Sequence, residues 1–361
     1  EIITGNNRIA IKNKHLFRTM LKMICNIKIK GKDNKIIRFD YCNSIEVRTS
    51  CKNLTDTATV KVPKKMFWRE KPLTDFIGRG NEIEIEAGYE EYGLQTLFRG
   101  WITGVENSYP LIINCENEMW KFKTVTVPAE IIKKFNLKDY LQKYGGVQVD
   151  VAENLSFGSM DIKEEMSLAQ AVDLIMQSYP YVVGYFQDGI FKAFLSSDRW
   201  AKGLKPVTLS PERNMVANSL KYTLADDIKI CLKAVSIKRD NTQIVAFAPA
   251  NAYNVKTDKK GKTTHTQKDG WEQRQEFCPQ LTTQREVQDY ADKRAAEWIT
   301  DKMEGSVTLF GVPFIRKGDL VKLQDRDRTE RDGKKFIVDA VDYSFGTDGY
   351  RQTVTLGYAI V

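Results

Sequence analysis

The sequence predicts a mainly β protein with an α+β insert: two similar small β-barrel modules separated by a small α/β domain, with a helix packed on the second module. Three observations carry that prediction. The first is an internal echo, in which Gly311-Val-Pro-Phe-Ile-Arg-Lys-Gly-Asp-Leu-Val-Lys-Leu323 repeats, more strongly, Phe76-Ile-Gly-Arg-Gly-Asn-Glu-Ile-Glu-Ile85. In each copy a Phe (Phe76, Phe314) is followed four positions later by Gly (Gly80, Gly318), a polar turn residue (Asn81, Asp319) and an alternating apolar pair. Gly and Asn tolerate positive φ, so each copy reads as a tight turn opening a half-buried strand. The second is spacing. Phe98 lies fifteen residues after Ile83 and Phe336 fifteen after Val321, each opening another β-rich run, and a third strand follows in both copies (Leu111 to Cys115, Thr353 to Tyr358). Unrelated antiparallel sheets share such turns, but three strands in matched order at matched spacing favour one module used twice. The third is a change of texture from about Pro128, where helical periodicity interrupts the strands.

Residues 1–127 form the first module. From Arg8 to Arg38 ten basic residues stand against the single acid Asp33, a charge of +9 that exceeds the +8 of the whole chain. Leu21, Met23, Cys25, Ile27 and Ile29 alternate with polar neighbours, so Lys28 and Lys30 fall on the exposed face of a strand ending at the turn from Gly31 to Asn34. A solvated strand face is the simpler reading of these cations. Contact with DNA, an acidic partner or a channel interior is the functional one. Ser44 to Arg48 and Leu54 to Val62 are further strands, and Met66-Phe-Trp68 is read as folding over the open end of the module.

Residues 128–204 form the α/β domain. Ala129 to Lys134 and Leu137 to Tyr144 are short helix candidates and Val147 to Val151 a strand. Ser167 and Gln170 make a capping box for an amphipathic helix that Pro180 ends. Tyr181 to Phe186 and Ile190 to Leu195 flank an Asp188-Gly189 turn and read as a hairpin. Residues 205–361 form the second module, with a basic loop at 251–270 and a helix over 284–303. The loop carries Lys256, Lys259, Lys260, Lys262 and Lys268 against Asp258 and Asp269 and reads as a hairpin tip. Thr283 and Glu286 cap the helix, whose apolar face is Val287, Tyr290, Ala291, Ala295 and Trp298, with Gly305 marking its end.

Composition narrows the chemistry. With 361 residues the chain has room for two or three domains, and no apolar run approaches the roughly 20 residues of a membrane span. The opening Ile2 to Asn7 has no leader-like apolar core, so export by a standard leader is not expected. Six scattered cysteines without a Cys-x-x-Cys pair point to reduced thiols made in a cytoplasm and, with only His15 and His265 in the chain, argue against a metal site. Neither histidine is framed by a nucleophile motif, and no phosphate-binding glycine loop occurs, so no catalytic, cofactor or metal residues are assigned. Two alternatives stay open. One is a cell-wall carbohydrate-binding or hydrolysing protein using Glu116 and Glu118 or exposed aromatics such as Tyr89, Tyr92 and Trp101; the other is a nucleic-acid-binding barrel suggested by the +9 segment.

Several stretches resemble a known family. Leu54-Thr-Asp-Thr-Ala-Thr-Val-Lys-Val-Pro63, Phe98-Arg-Gly-Trp-Ile-Thr-Gly-Val105, Pro110-Leu-Ile-Ile-Asn-Cys-Glu-Asn-Glu-Met-Trp120, Gly311 to Val321, Val338 to Ser344 and Gly349 to Tyr358 are similar to the baseplate hub proteins of contractile phage tails (the late control gene D type), themselves similar to the amino-terminal half of VgrG spike proteins. The resemblance covers most of the chain through degenerate motifs. It implies tube-type barrels in a non-enzymatic homotrimer. Six barrels would then form a pseudo-sixfold ring adapting a hexameric tail tube protein to a threefold central spike protein, with DNA passing through the channel. It also implies synthesis in a bacterial cytoplasm and assembly into a virion tail or phage-like particle. Because the chain ends at Val361, a separate protein would supply the spike needle.

Overall fold

The computed structural model describes residues 21–360 except 32–34, 134, 153–159, 180–181, 196–203, 224–226, 238–241, 260, 262, 279–280, 282, 300–301 and 330. The first module runs β1 (Met23–Lys30), β2 (Ile36–Phe39), β3 (Ser44–Ser50), β4 (Thr57–Val62), β5 (Glu82–Tyr89), β6 (Gly93–Glu106) and β7 (Leu111–Glu116). Period-2 alternation drives these strands: Cys25, Ile27 and Ile29 of β1 and Ile83, Ile85 and Ala87 of β5 are buried, while the residues between them face outward. The hydrogen-bonded order is β3-β4-β7-β6-β5-β1-β2.

The insert has its own core. Its helices are α1 (Leu137–Gly145) and α2 (Leu168–Ser178); its main strands are β8 (Gln148–Val151), β9 (Val182–Gln187) and β10 (Ile190–Leu195). The Ser167–Gln170 capping box forms as the sequence demands, and α2 buries Leu168, Ala171, Val172 and Ile175 against Phe122, Phe186 and Phe191. Hairpin β9–β10 turns at Asp188-Gly189, both at positive φ, and β8 joins β10 in parallel. One expectation fails here. Within the stretch Ala129 to Lys134, Glu130–Ile132 is not helical but a short strand paired with Met160–Ile162, because an isolated helix of so few residues is marginal and a partner strand offers its backbone.

The second module opens with β11 (Val207–Leu209), β12 (Met215–Asn218) and β13 (Lys221–Thr223). A sub-structure then intervenes: β14 (Ile230–Ile237), β15 (Gln243–Ala248), β16 (Tyr253–Thr257), β17 (Thr263–Gln267), β18 (Glu272–Phe277) and α3 (Gln284–Trp298). Strands β15-β14-β18 make a separate sheet, and α3 seals one face of it, packing Val287, Tyr290, Ala291 and Ala295 on Leu232, Ala234, Ile244 and Ala246. The helix stops at Trp298, short of the expected 303, because β19 (Lys302–Glu304) is drawn into pairing with β13 and Tyr358. The basic stretch 251–270 is the hairpin β16–β17. The module closes with β20 (Ser306–Phe310), β21 (Leu320–Leu323), β22 (Lys335–Gly346) and β23 (Gly349–Ile360).

The strand order of this module, β12-β20-β23-β22-β21-β11, follows that of the first, β3-β4-β7-β6-β5-β1. The last strand differs, since β1 is antiparallel to β5 while β11 is parallel to β21. The modules are continuous. The long strand β22 pairs with β21 through Lys335–Ile337 and with β3 through Ala340–Gly346, on the side away from β23, producing one fifteen-stranded sheet. Among the described residues its path does not close into a hydrogen-bonded ring within either module, and a single apolar core spans both.

Candidate functional site

The echoed turns have the same geometry. Gly80 (φ +88°) donates to Ile102 O at 2.8 Å and Ile102 N–H returns a bond to Asn81 O at 2.8 Å. Gly318 (φ +85°) donates to Val338 O at 2.7 Å and Val338 N–H returns one to Asp319 O at 2.9 Å. The polar turn residue accepts from the backbone three positions earlier in both: Asn81 Oδ1 from Gly78 N–H at 2.8 Å, Asp319 Oδ2 from Arg316 N–H at 2.7 Å. Phe76 and Phe314 both lie half-buried on the core, Phe76 edge-on to Trp68 and Phe314 stacked on Tyr343. The Phe98–Phe336 match is looser. Ile83 pairs with Gly100 whereas Val321 pairs with Phe336, a two-residue slip that leaves the facing of every side chain unchanged.

Where the second turn meets the first module and the insert, charge is buried. Lys317 Nζ lies 2.7 and 2.6 Å from the Asp56 carboxylate oxygens and 3.3 Å from Ser50 O, and it stands over the Tyr185 ring of the insert. Beside it Arg316 binds Asp188 of hairpin β9–β10 at 2.7 Å. Asp56, Lys317, Arg316, Asp188 and Glu118 line a cavity of about 60 Å³ at the three-way junction. The Asp56–Lys317 pair was not legible in the sequence, although Lys317 sits inside the echoed motif. Its counterpart there, Arg79, is exposed.

Burial lifts the Glu118 carboxyl above the usual carboxylate range, and nearby Asp56 adds to the rise. The folded state therefore holds this proton more tightly than the unfolded chain does, so the contribution is complete at acid pH and is lost as pH rises through the folded value. Glu118→Gln, which keeps the side chain neutral, is expected to raise stability at pH 7 by about 1 kcal/mol, a gain that shrinks as pH falls through the carboxylate range. Urea denaturation at several pH values checks this. A gain that does not vary with pH rejects the burial account.

The other sequence candidates separate. Lys28 is bound by Glu84 and Glu86 at 3.1 and 3.0 Å, and Lys30 lies 3.9 Å from Glu82, so acids of β5 answer the cations of β1. Lys256 and Lys259 are exposed on hairpin β16–β17, while Lys260, Lys262 and His15 lie outside the described residues. His265 stacks on Phe247 at 4.3 Å. Glu116 is taken by Lys123 at 2.5 Å, and Glu118 is buried. Of the aromatics, Tyr92 is exposed, Tyr89 is buried against Tyr350, and Trp101 is half-buried with the Lys121 ammonium over its ring.

No family model and no curated protein matches the chain. Solved structures do. The tail protein of Neisseria meningitidis superposes with a TM-score of 0.62 at 13% identity, over 92% of this chain and 96% of that one. The 43 kDa tail protein of a Shewanella oneidensis prophage gives 0.60 at 12% identity, over 92% and 98%. The fold is that of phage tail proteins. A chain of a Francisella PdpA–VgrG complex is similar at a TM-score of 0.58 and 11% identity, over 93% of this chain and 58% of that one. At 11–13% identity the likeness is one of fold.

Proposed function

We propose that this protein is a structural, non-enzymatic hub of the tail or baseplate of a phage or phage-like contractile particle, working as a trimer. Three copies place six similar modules in a pseudo-sixfold ring, one face suited to a hexameric tail tube and the other to a threefold central spike, with a channel through which DNA passes. The observation that carries this reading is the duplicated module, with strand order and the hydrogen bonds of Gly80, Asn81, Gly318 and Asp319 repeated. A duplicated unit lets a threefold assembly present six comparable surfaces, which a single-module chain achieves only as a hexamer. The end-to-end likeness to two tail proteins, and to a VgrG-containing complex, supports the same reading. On this reading the protein is made in a bacterial cytoplasm and works in the virion tail or particle, and it calls for no cofactor.

Light scattering on the purified chain is expected to give three times 41.4 kDa, about 124 kDa, and microscopy a ring with a central opening. A protein that stays monomeric at high concentration and forms no ring overturns the proposal.

A further inference from the structure

We propose that β6 of one molecule pairs with the β12–β13 edge of a second copy, in the register that the molecule already uses once internally, between β22 and β3. The ring closed by three such contacts rests on the trimer reading above; the two edges and their register come from the repeat.

The correspondence is residue by residue. Ile102 and Val338 occupy the same place in the repeated turn. After each comes a bulge, then the pairs Gly104–Asn114, Val105–Ile113 and Glu106–Ile112 in one module and Ala340–Thr355, Val341–Val354 and Asp342–Thr353 in the other. Glu106 is therefore the counterpart of Asp342. On the opposite strand, Ser44–Lys61, Ile45–Val60 and Arg48–Thr57 match Ala217–Thr308, Asn218–Val307 and Lys221–Glu304. Strand β3 thus corresponds to β12 and β13 together, and Arg48 to Lys221.

Inside the chain these edges meet: Ala340 lies opposite Ser50, Val341 opposite Thr49 and Asp342 opposite Arg48. Their counterparts do not. Among the described residues, β6 beyond Trp101 has β7 on one side and no strand on the other, and β12 and β13 pair only with β20 and β19. Two unpaired edges are a standing invitation to another chain. Carrying the internal register across sets Gly104 opposite Thr223, Val105 opposite Tyr222 and Glu106 opposite Lys221 of the next copy. The acid–base opposition of Asp342 and Arg48 recurs there as Glu106 and Lys221, both exposed.

The surroundings agree. Tyr109, just past the edge, is 76% exposed, so the chain beyond β6 is not packed over by a neighbouring segment there. Strand β6 ends four residues before the position equivalent to the end of β22, so the new junction is shorter than the internal one. Because each copy offers one edge of each kind, the contact is head-to-tail and builds a ring or filament, not a closed dimer.

The test is a cross-link in the full chain. Glu106→Cys combined with Lys221→Cys, under mild oxidation, is expected to give covalent dimers and trimers on non-reducing gels, about tenfold more than Glu106→Cys combined with Val216→Cys, which sets the cysteines out of register. If light scattering shows a trimer but the first pair links no better than the second, the junction is wrong and the trimer reading stands. A chain that is monomeric throughout and forms no links overturns both.

Discussion

Replacing Lys317 with Met is expected to cost about 3–5 kcal/mol. The ammonium is 4% exposed as a side chain and its partner Asp56 9%, so the substitution strands a carboxylate in a site with almost no access to water. Asp56 keeps some support, since Ser50 N–H donates to Oδ1 at 3.1 Å, but it loses both contacts to Nζ. Burial already pushes the Asp56 carboxyl up and Lys317 opposes the push, so removing the cation leaves the unfavourable part alone. The cost reflects an orphaned charge more than the net worth of the pair. Lys317→Met combined with Asp56→Leu is accordingly expected to recover most of the loss. Denaturant titration of the two single variants and the double checks this. A single variant costing under about 1 kcal/mol would place the pair among solvent-screened surface bridges. Because the pair ties the first module, the second turn and the insert together, the single variant is also expected to loosen hairpin β9–β10, seen as faster amide exchange there.

The second large effect is expected at Gly311, where Ala is predicted to destabilise by about 3 kcal/mol. A methyl group there would fall inside the Tyr350 ring. The ring is fully buried, between Tyr89 and Phe345, with centroids 5.8 and 5.9 Å away. The backbone has little freedom to retreat. Gln352 pins the segment, donating to Phe310 O and Pro313 O at 2.8 Å and accepting from Ile315 N–H at 2.9 Å. Gly104→Ala serves as the comparison, because nothing stands near its added methyl, and its effect is expected within about 0.5 kcal/mol. Equal denaturation midpoints for the two variants would show that the Tyr350 pocket yields.

The echoed motif was readable because its cause is local. A Gly at positive φ followed by Asn or Asp that accepts from the residue three back is a turn that sequence specifies without help from distant residues, and both copies form it. The capping boxes at Ser167 and Thr283 were readable for the same reason. The slip between Phe98 and Phe336 was not, because an even shift keeps each side chain on its face and leaves no trace in the alternation. Lys28 and Lys30 stand on the outward face of β1, as alternation requires, but their neutralisation leaves no mark in the local sequence. Glu84, which binds Lys28, lies 56 residues further on and becomes a neighbour only when β5 pairs with β1.

By itself, then, the amino-acid order determined the periodicities, the caps and the turn motif that occurs twice, since these follow from bonds spanning a few residues. The tertiary structure alone decided that β22 joins the two units into one sheet, that α3 covers a separate sheet, and that Lys317 is buried while Arg79 is exposed. Strand partners and burial depend on which distant segments compete for the same backbone groups and the same dry space, and that competition is resolved only when the whole chain is folded.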